Sequence, residues 1–330
     1  MITGLEDKVV LVTGGAGYIG SHTTLSLIDG GHSVTVIDNL ITGNKKLIPS
    51  GAEHYECDMA DKKLVEKILK KNKFDIVMHF AGLTRVDESV KHPKKYQLHN
   101  FEKSKSFFNC CFENNIRKII FSSTAGVYGN SKSEYVKETD DLKPINPYAK
   151  SKYEIEKYLI ESSKNEKAKF IILRYFNVAG ADKNKRSGLI SESSTNLIKV
   201  VCEAATNKRD KIIINGSDYK TKDGTAVRDF IHVSDIADIH AVAANSLFKN
   251  AESDFYNCGY GKGYSVKEVI SEMENIINDK LKVEIGPRRE KDISISIANC
   301  EKFKKKFNWK PKFNNLNYIL RTALEWEKIN

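Results

Sequence analysis

The stretch VVLVTGGAGYIGSH, residues 9–22, decides the fold. An apolar run is followed at once by glycines at 14, 15, 17 and 20 and then by a helix-like segment running to Asp29. The glycines read either as G-x-G-x-x-G (Gly15, Gly17, Gly20) or as G-x-x-G-x-x-G (Gly14, Gly17, Gly20). On either reading the missing β-carbons let the backbone approach a pyrophosphate, at which the N–H groups of a helix start would point. A tight turn alone does not need three glycines. The context of strand, glycines and helix is that of a dinucleotide-binding turn.

Working outward, SVTVIDN, AEHYECD, FDIVMHFAG, KIIFSST and KFIILRYFN are short apolar runs separated by amphipathic stretches. This alternation predicts an α/β fold, a Rossmann-type doubly wound parallel sheet with six or more parallel strands. From Asn177 the texture becomes irregular, predicting a smaller mixed α/β lobe. We expect an NAD-binding domain over 1–176, with 230–262 returning to it, and a substrate lobe over 177–330. A loop is expected around Asp223, Gly224 and Arg228.

Asp38 ends the second strand, eighteen residues beyond Gly20. There a carboxylate can accept from an adenosine ribose diol and would repel a 2′-phosphate, which favours NAD over NADP. Asp38 and Asn39 would equally suit a simple turn. Asp58 closes the next strand and could face the adenine.

The 330 residues provide for a large core, in one domain or two unequal ones. With 40% hydrophobic and 29% charged residues the composition is globular, and no apolar run is long enough to cross a bilayer. The first residues carry no secretory signal, so the cytoplasm is the expected compartment. The six cysteines show no C-x-x-C pair and no zinc spacing, and are read as free thiols with no metal. The formal charge of +10 comes from scattered lysines without an aromatic-interleaved array, so neither nucleic acid nor membrane is an expected partner.

In NPYAKSK, residues 146–152, Tyr148 and Lys152 stand four apart behind Pro147 and share one helix face. A glycine-rich first turn, SST at the end of a later strand and Y-x-x-x-K some twenty-five residues on together resemble the extended short-chain dehydrogenase/reductase family. TGGAGYIGSH, HFAGLTRVDESV, FSSTAGVYG, LRYFNVAGA, DGTAVRDFIHVSDIAD and PRREKD are similar to its UDP-hexose 4-epimerases over nearly the whole chain.

That resemblance implies Thr124, Tyr148 and Lys152 as the catalytic group. Cofactor contacts are implied at Gly14, Gly17, Tyr18, Ile19, Gly20, Asp38, Asn39, Asp58, Met59, Phe80, Ala81, Gly82 and Tyr175, besides Tyr148 and Lys152. Asn177, Asn196, Arg228, Arg289, Asp292 and Ser296 are implied, with Thr124, to bind a UDP-sugar. A homodimer formed through long helices at roughly 94–115 and 147–167 is also implied.

The expected reaction is inversion at C4 through a 4-ketosugar. It needs a base, and a phenol is a poor one, with a pKa of about 10. An exposed i, i+4 pair supplies only about 0.2–0.5 kcal/mol, so the site must be enclosed and Lys152, the cationic nicotinamide and the helix N-terminus must act together.

The competing readings are a dehydratase or decarboxylase on the same scaffold and a catalytically silent NAD-binding protein. Ala125 and Gly126 stand where dehydratases carry an Asp–Glu pair, which argues against elimination. Thr84 replaces a lysine common near the cofactor, Glu102 and Lys103 replace an asparagine and a glycine, and Asn215 replaces an aromatic against uracil. Ser296 corresponds to a gatekeeper that is small where N-acetylhexosamines are also accepted.

Overall fold

The run Val9–Thr13 forms an inner strand of a seven-stranded sheet in a computed structural model that describes residues 7–131, 133–191, 194–289 and 293–330. In chain order the elements are β1 (Val9–Thr13), α1 (Tyr18–Asp29), β2 (Ser33–Asp38), β3 (Glu53–Glu56), α2 (Lys62–Lys71), β4 (Ile76–His79), α3 (Val86–Lys91), α4 (Pro93–Tyr96), α5 (Lys103–Glu113) and β5 (Lys118–Thr124). They continue with β6 (Tyr135–Val136), α6 (Pro147–Asn165), β7 (Lys169–Tyr175), β8 (Asn177–Ala179), α7 (Leu197–Ala205), β9 (Ile212–Asn215) and β10 (Val227–His232). The chain closes with α8 (Val233–Phe248), β11 (Asp254–Cys258), β12 (Gly263–Ser265), α9 (Val266–Ile277), β13 (Val283–Gly286), β14 (Ile295–Ala298), α10 (Glu301–Phe307) and α11 (Leu316–Ile329).

The described residues form two compact units. One takes in the chain up to Gly129, Leu142–Arg174 and Ala237–Tyr256; the other holds Asn130–Asp141, Tyr175–Ile236 and Asn257–Asn330. The large sheet belongs to the first and runs β11-β7-β5-β4-β1-β2-β3. β1 pairs in parallel with β2 on one side and β4 on the other, so strand order reverses at β1. Ligands of open α/β sheets bind outside the carboxyl ends of the strands at such a reversal, where the glycine turn lies.

Helices on the sheet faces keep the inner strands dry. Val10, Leu11, Val12, Ile76, Val77 and Met78 are wholly buried, which is why these strands read as continuous apolar runs rather than alternating ones. Phe107, Phe108, Phe121, Ile155 and Leu159 extend this core between α5, β5 and α6.

One helix differs from expectation. The segment 94–115 is broken into α4, a π-helical stretch over Gln97–Glu102 and α5, which ends at Glu113. No glycine or proline marks the break, so periodicity alone reads through it. The wider turn carries Asn100, which is buried; its side chain accepts from the Leu83 amide at 2.7 Å and donates to the Leu83 carbonyl and to Ser151 Oγ.

The second unit contains the sheet β12-β10-β14-β6, with β8 also on β10, and a parallel β9–β13 pair. Arg228 is therefore on strand β10 and not in the expected loop, because Val227 and Arg228 pair with Ile295 and Ser296 of β14. Beside it Asp229, wholly buried, accepts from the amides of Tyr260, Gly261 and Ala298, while burial pushes its carboxyl up to about 6. Among the described residues no helix is long and apolar enough to cross a membrane.

Candidate active site

The glycine turn is built by division of labour. Gly14 has φ +75°, and a Cβ there would meet the Ala81 amide nitrogen at 2.5 Å; one on Gly20 would meet the Gly14 carbonyl oxygen at 2.2 Å. Those two positions need glycine for backbone packing. Gly17 is different: its added Cβ would touch only the Gly14 oxygen, at 3.2 Å, so the space above it stays open. Gly17 also caps α1 and provides no side-chain hydrogen bond to the first turn. First-turn amides have no carbonyl within their own helix, and an open, positively polarised cradle over a glycine fits a pyrophosphate. Gly15 packs on Val36 instead, which selects the 14–17–20 reading of the motif.

Asp38 is already engaged within the protein. Its oxygens accept from the Ala16 amide and the Leu40 amide, both at 2.9 Å. It thus braces the glycine turn against β2. A carboxylate has about four lone-pair sites, so acceptor capacity remains for a ribose diol. Asp58 accepts from the Ala60 amide and from Lys103 Nζ at 2.5 Å, and these contacts hold its carboxyl below the ordinary value despite burial. Lys103 was legible only as a departure from the family pattern; its partner lies 45 residues away.

Phe80, Ala81 and Gly82 follow β4 directly. The Phe80 amide donates to Thr13 O at 2.9 Å, and its ring lies 4.8 Å from that of His240. Gly82 has φ +153°, and an added Cβ would approach Asn100 Oδ1 at 3.1 Å and Lys152 Nζ at 3.5 Å. Met59 is buried.

Asn146 caps α6 through a 2.8 Å bond from the Ala149 amide, with Pro147 in the first turn, as favoured at such positions. Tyr148 then falls in the positive first turn, with its ring edge-on to Tyr96, and Thr124 draws its phenol weakly toward ionisation. Thr124 Oγ1 also accepts from the Gly126 amide at 3.1 Å. One helical turn on, Lys152 is buried; its Nζ donates to the Ser122 carbonyl at 3.0 Å and lies 5.0 Å from the Phe121 ring centroid.

The protein's own groups do not by themselves favour the phenolate. Burial pushes the enclosed Tyr148 phenol up to about 12, with Thr124 pulling weakly the other way, and burial brings Lys152 down to about 8. Desolvation penalises both charged forms. Reaching 7 from about 12 takes roughly 7 kcal/mol at about 1.36 kcal/mol per unit. One cation about 4 Å away contributes about 4 kcal/mol at an effective dielectric of 20, so Lys152 alone is too little.

In the second unit, Tyr175 is buried and Asn177 pairs with Phe230. Asn196 caps α7: its Oδ1 accepts from the Ile198 and Lys199 amides and its Nδ2 donates to Val178 O at 3.4 Å. Its carbonyl is thus committed to the helix, leaving the second N–H of the amide for any ligand. Arg228 Nη1 donates to the Val227 carbonyl at 2.9 Å. Ser296 is half-buried and, by register, stands next to Arg228; Arg289 is exposed. Asp292 lies outside the described residues. Among the described residues no cluster of three or more His, Cys, Asp or Glu could hold a metal.

Residues 10–259 match the NAD dependent epimerase/dehydratase family. The chain belongs to this family. It is 40% identical to the UDP-glucose 4-epimerase of Azospirillum brasilense over 319 residues, 97% of this chain and 92% of that protein. A solved UDP-glucose 4-epimerase superposes with a TM-score of 0.95 at 37% identity, covering 98% of each chain. The UDP-Glc/GlcNAc 4-epimerase of Campylobacter jejuni superposes with a TM-score of 0.85 at 42% identity, covering 98% of this chain and all of the other. A family member is expected to be NAD-dependent, and the cradle at Gly17 and the remaining acceptor sites of Asp38 suit that cofactor.

Proposed function

We infer that the chain is an NAD-dependent isomerase that inverts C4 of a UDP-hexose, interconverting UDP-glucose and UDP-galactose through a 4-ketosugar. The observation that carries this reading is Tyr148 in the capped first turn of α6, one turn ahead of buried Lys152 whose Nζ is anchored on the Ser122 carbonyl near Thr124, at the carboxyl end of a sheet whose first turn is a glycine cradle. When bound, NAD supplies a hydride acceptor and donor together with the second positive charge that the phenol requires. Tyr148 takes the proton of the 4′-hydroxyl, and Thr124 orients that hydroxyl. Lys152 stays anchored on Ser122 and favours the phenolate. Since the substrate leaves with its original oxidation state, binding energy is best placed on the nucleotide, leaving the sugar free to present either face. Ala125 and Gly126 supply no acid for elimination, which sets aside the dehydratase reading.

For the nucleotide we propose Arg228 and Arg289 on the diphosphate, where guanidinium forks suit phosphate oxygens, with Asn177, Asn196 and Asp292 as further contacts and Tyr175 beside the nicotinamide. Ser296, small and half-buried, supports acceptance of UDP-N-acetylhexosamines as well. Turnover of UDP-galactose and UDP-GalNAc, followed by product chromatography, is expected to give kcat/KM values within about a hundredfold of each other. Ser296→Tyr should suppress the N-acetyl substrate alone. A hexose preference above a thousandfold in the natural protein would remove the second substrate.

A homodimer formed through α6 and the 94–113 segment is the proposed assembly, in a cytoplasmic enzyme of galactose metabolism. Val86, Val90, Leu98 and Ile160, exposed on α3, the π-helical turn and α6, support it. Sedimentation at micromolar concentration should give twice the chain mass, and a monomer there would refute the pairing.

A further inference from the structure

The end of β5 and one face of α6 are joined rung by rung. Tyr148, Lys152 and Glu156 are four apart and so stand one above another along the helix. Three consecutive strand residues meet them: the Thr124 side chain acts on the Tyr148 phenol, the Ser122 carbonyl accepts from Lys152, and Ser123 Oγ donates to Glu156. The first two rungs belong to the chemistry proposed above; the third does not.

Glu156 is wholly buried and is gripped from β7 by Arg174, whose Nε and Nη2 donate to its two oxygens at 3.0 and 2.6 Å. Arg174 is itself 2% exposed, donates through Nη1 to Tyr128 Oη at 2.8 Å, and has its guanidinium 4.6 Å from the Phe255 ring centroid.

A buried ion pair of this kind is a weak source of stability, because desolvating both charges offsets their attraction; its best-attested use is to fix register. Here the register in question is that of α6 on β5. Sliding α6 by one residue would rotate Tyr148 about 100° around the helix axis and take it off Thr124. Lys152 has a flexible stem and a carbonyl partner that would tolerate such a slip. A two-pronged guanidinium–carboxylate contact with a hydroxyl on the third side would not.

On the epimerase reading, we propose that Glu156, clamped by Arg174 and tied to Ser123, is the positioning residue that holds Tyr148 against Thr124. With Glu156 wholly buried and Arg174 2% exposed, neither is placed to touch substrate. The clamp acts through the helix and strand that carry the reacting groups. As a neutral pair it sets geometry without adding net charge to the site.

Glu156→Gln leaves Arg174 buried without a counter-charge, so that variant can fail by misfolding. Ser123→Ala is the cleaner test: it removes the tie to the strand and leaves the ion pair intact. Its expected result is about a tenfold fall in kcat, with KM and retained NAD unchanged and the urea midpoint lowered only by the loss of one hydrogen bond. The pH at which kcat is half-maximal should also move upward by half a unit or more, as Tyr148 loses its fixed partner. Ser123→Thr, which restores a hydroxyl, should recover at least half the activity. Ser162→Ala, which cuts a hydroxyl contact at the far end of α6, should leave kcat and the pH profile unmoved.

The proposal is overturned by a kcat within twofold of the natural protein in Ser123→Ala, or by a loss that leaves the pH profile in place. Failure of the epimerase reading would look different, because the natural protein would then turn over no UDP-hexose.

Discussion

Tyr148→Phe is expected to lower kcat for UDP-galactose about 10³-fold, within the roughly 10²- to 10⁴-fold contribution of a positioned base, while leaving KM and retained NAD close to those of the natural protein. The phenylalanine ring fills the same space and keeps the edge-on contact with Tyr96, so the fold has no reason to change. Only the phenolic oxygen, on which Thr124 acts, is lost. A loss spread equally over KM and kcat would mean instead that Tyr148 holds the substrate in ground and transition state alike. A kcat within tenfold of the natural value would assign the base to another group.

Lys152→Met is expected to abolish turnover and yet stabilise the cofactor-free protein. Burial brings the ammonium down to about 8 from its ordinary 10.5, so below pH 8 the folded state holds a proton at a cost of about 3 kcal/mol that the unfolded chain does not bear. Methionine removes that cost and gives up the hydrogen bond to Ser122, worth about 1 kcal/mol. The net gain is about 2 kcal/mol at pH 7. Its sign follows from linkage: between pH 8 and 10.5 the unfolded chain binds more protons than the folded one, so the natural protein gains stability as pH rises, and above about 10.5 the variant's advantage is gone. Urea unfolding of both proteins at pH 7 and pH 10.5 checks this. A variant less stable at pH 7 would show that the buried lysine is held at no cost.

Such a cost, tolerated at a position the chemistry needs, is the common pattern at active sites. It also explains how much of the molecule was legible in its sequence. The parallel sheet and the glycine turn were, because burial on both faces leaves uninterrupted apolar runs and because a Cβ added to Gly14 or Gly20 would meet backbone atoms at 2.5 Å or less. Tyr148 and Lys152 were too, since four-residue spacing with a proline and a capping asparagine is a local signal.

What sequence could not show was the company these residues keep. Lys103 meets Asp58 across 45 residues, and Ser123 meets Glu156 across 33, separations that no periodicity encodes. The π-helical turn at Gln97–Glu102 has no breaker residue, so the break and the aim of Asn100 emerge only from packing. Asn196 is a helix cap, a use as typical of asparagine as ligand binding. The need for a cofactor charge beside Tyr148 was legible, but the size of the desolvation that opposes it was not, because the whole enclosure fixes it.

That balance is the core of the account, and ultraviolet difference titration of the natural protein against Tyr148→Phe tests it most directly, once with NAD bound and once with it removed. Phenolate absorbance assigned to Tyr148 should appear only above about pH 11 without the cofactor and at about pH 7 with it. A transition at the same pH in both forms would contradict the account, since Tyr148 would then owe its state to the protein alone.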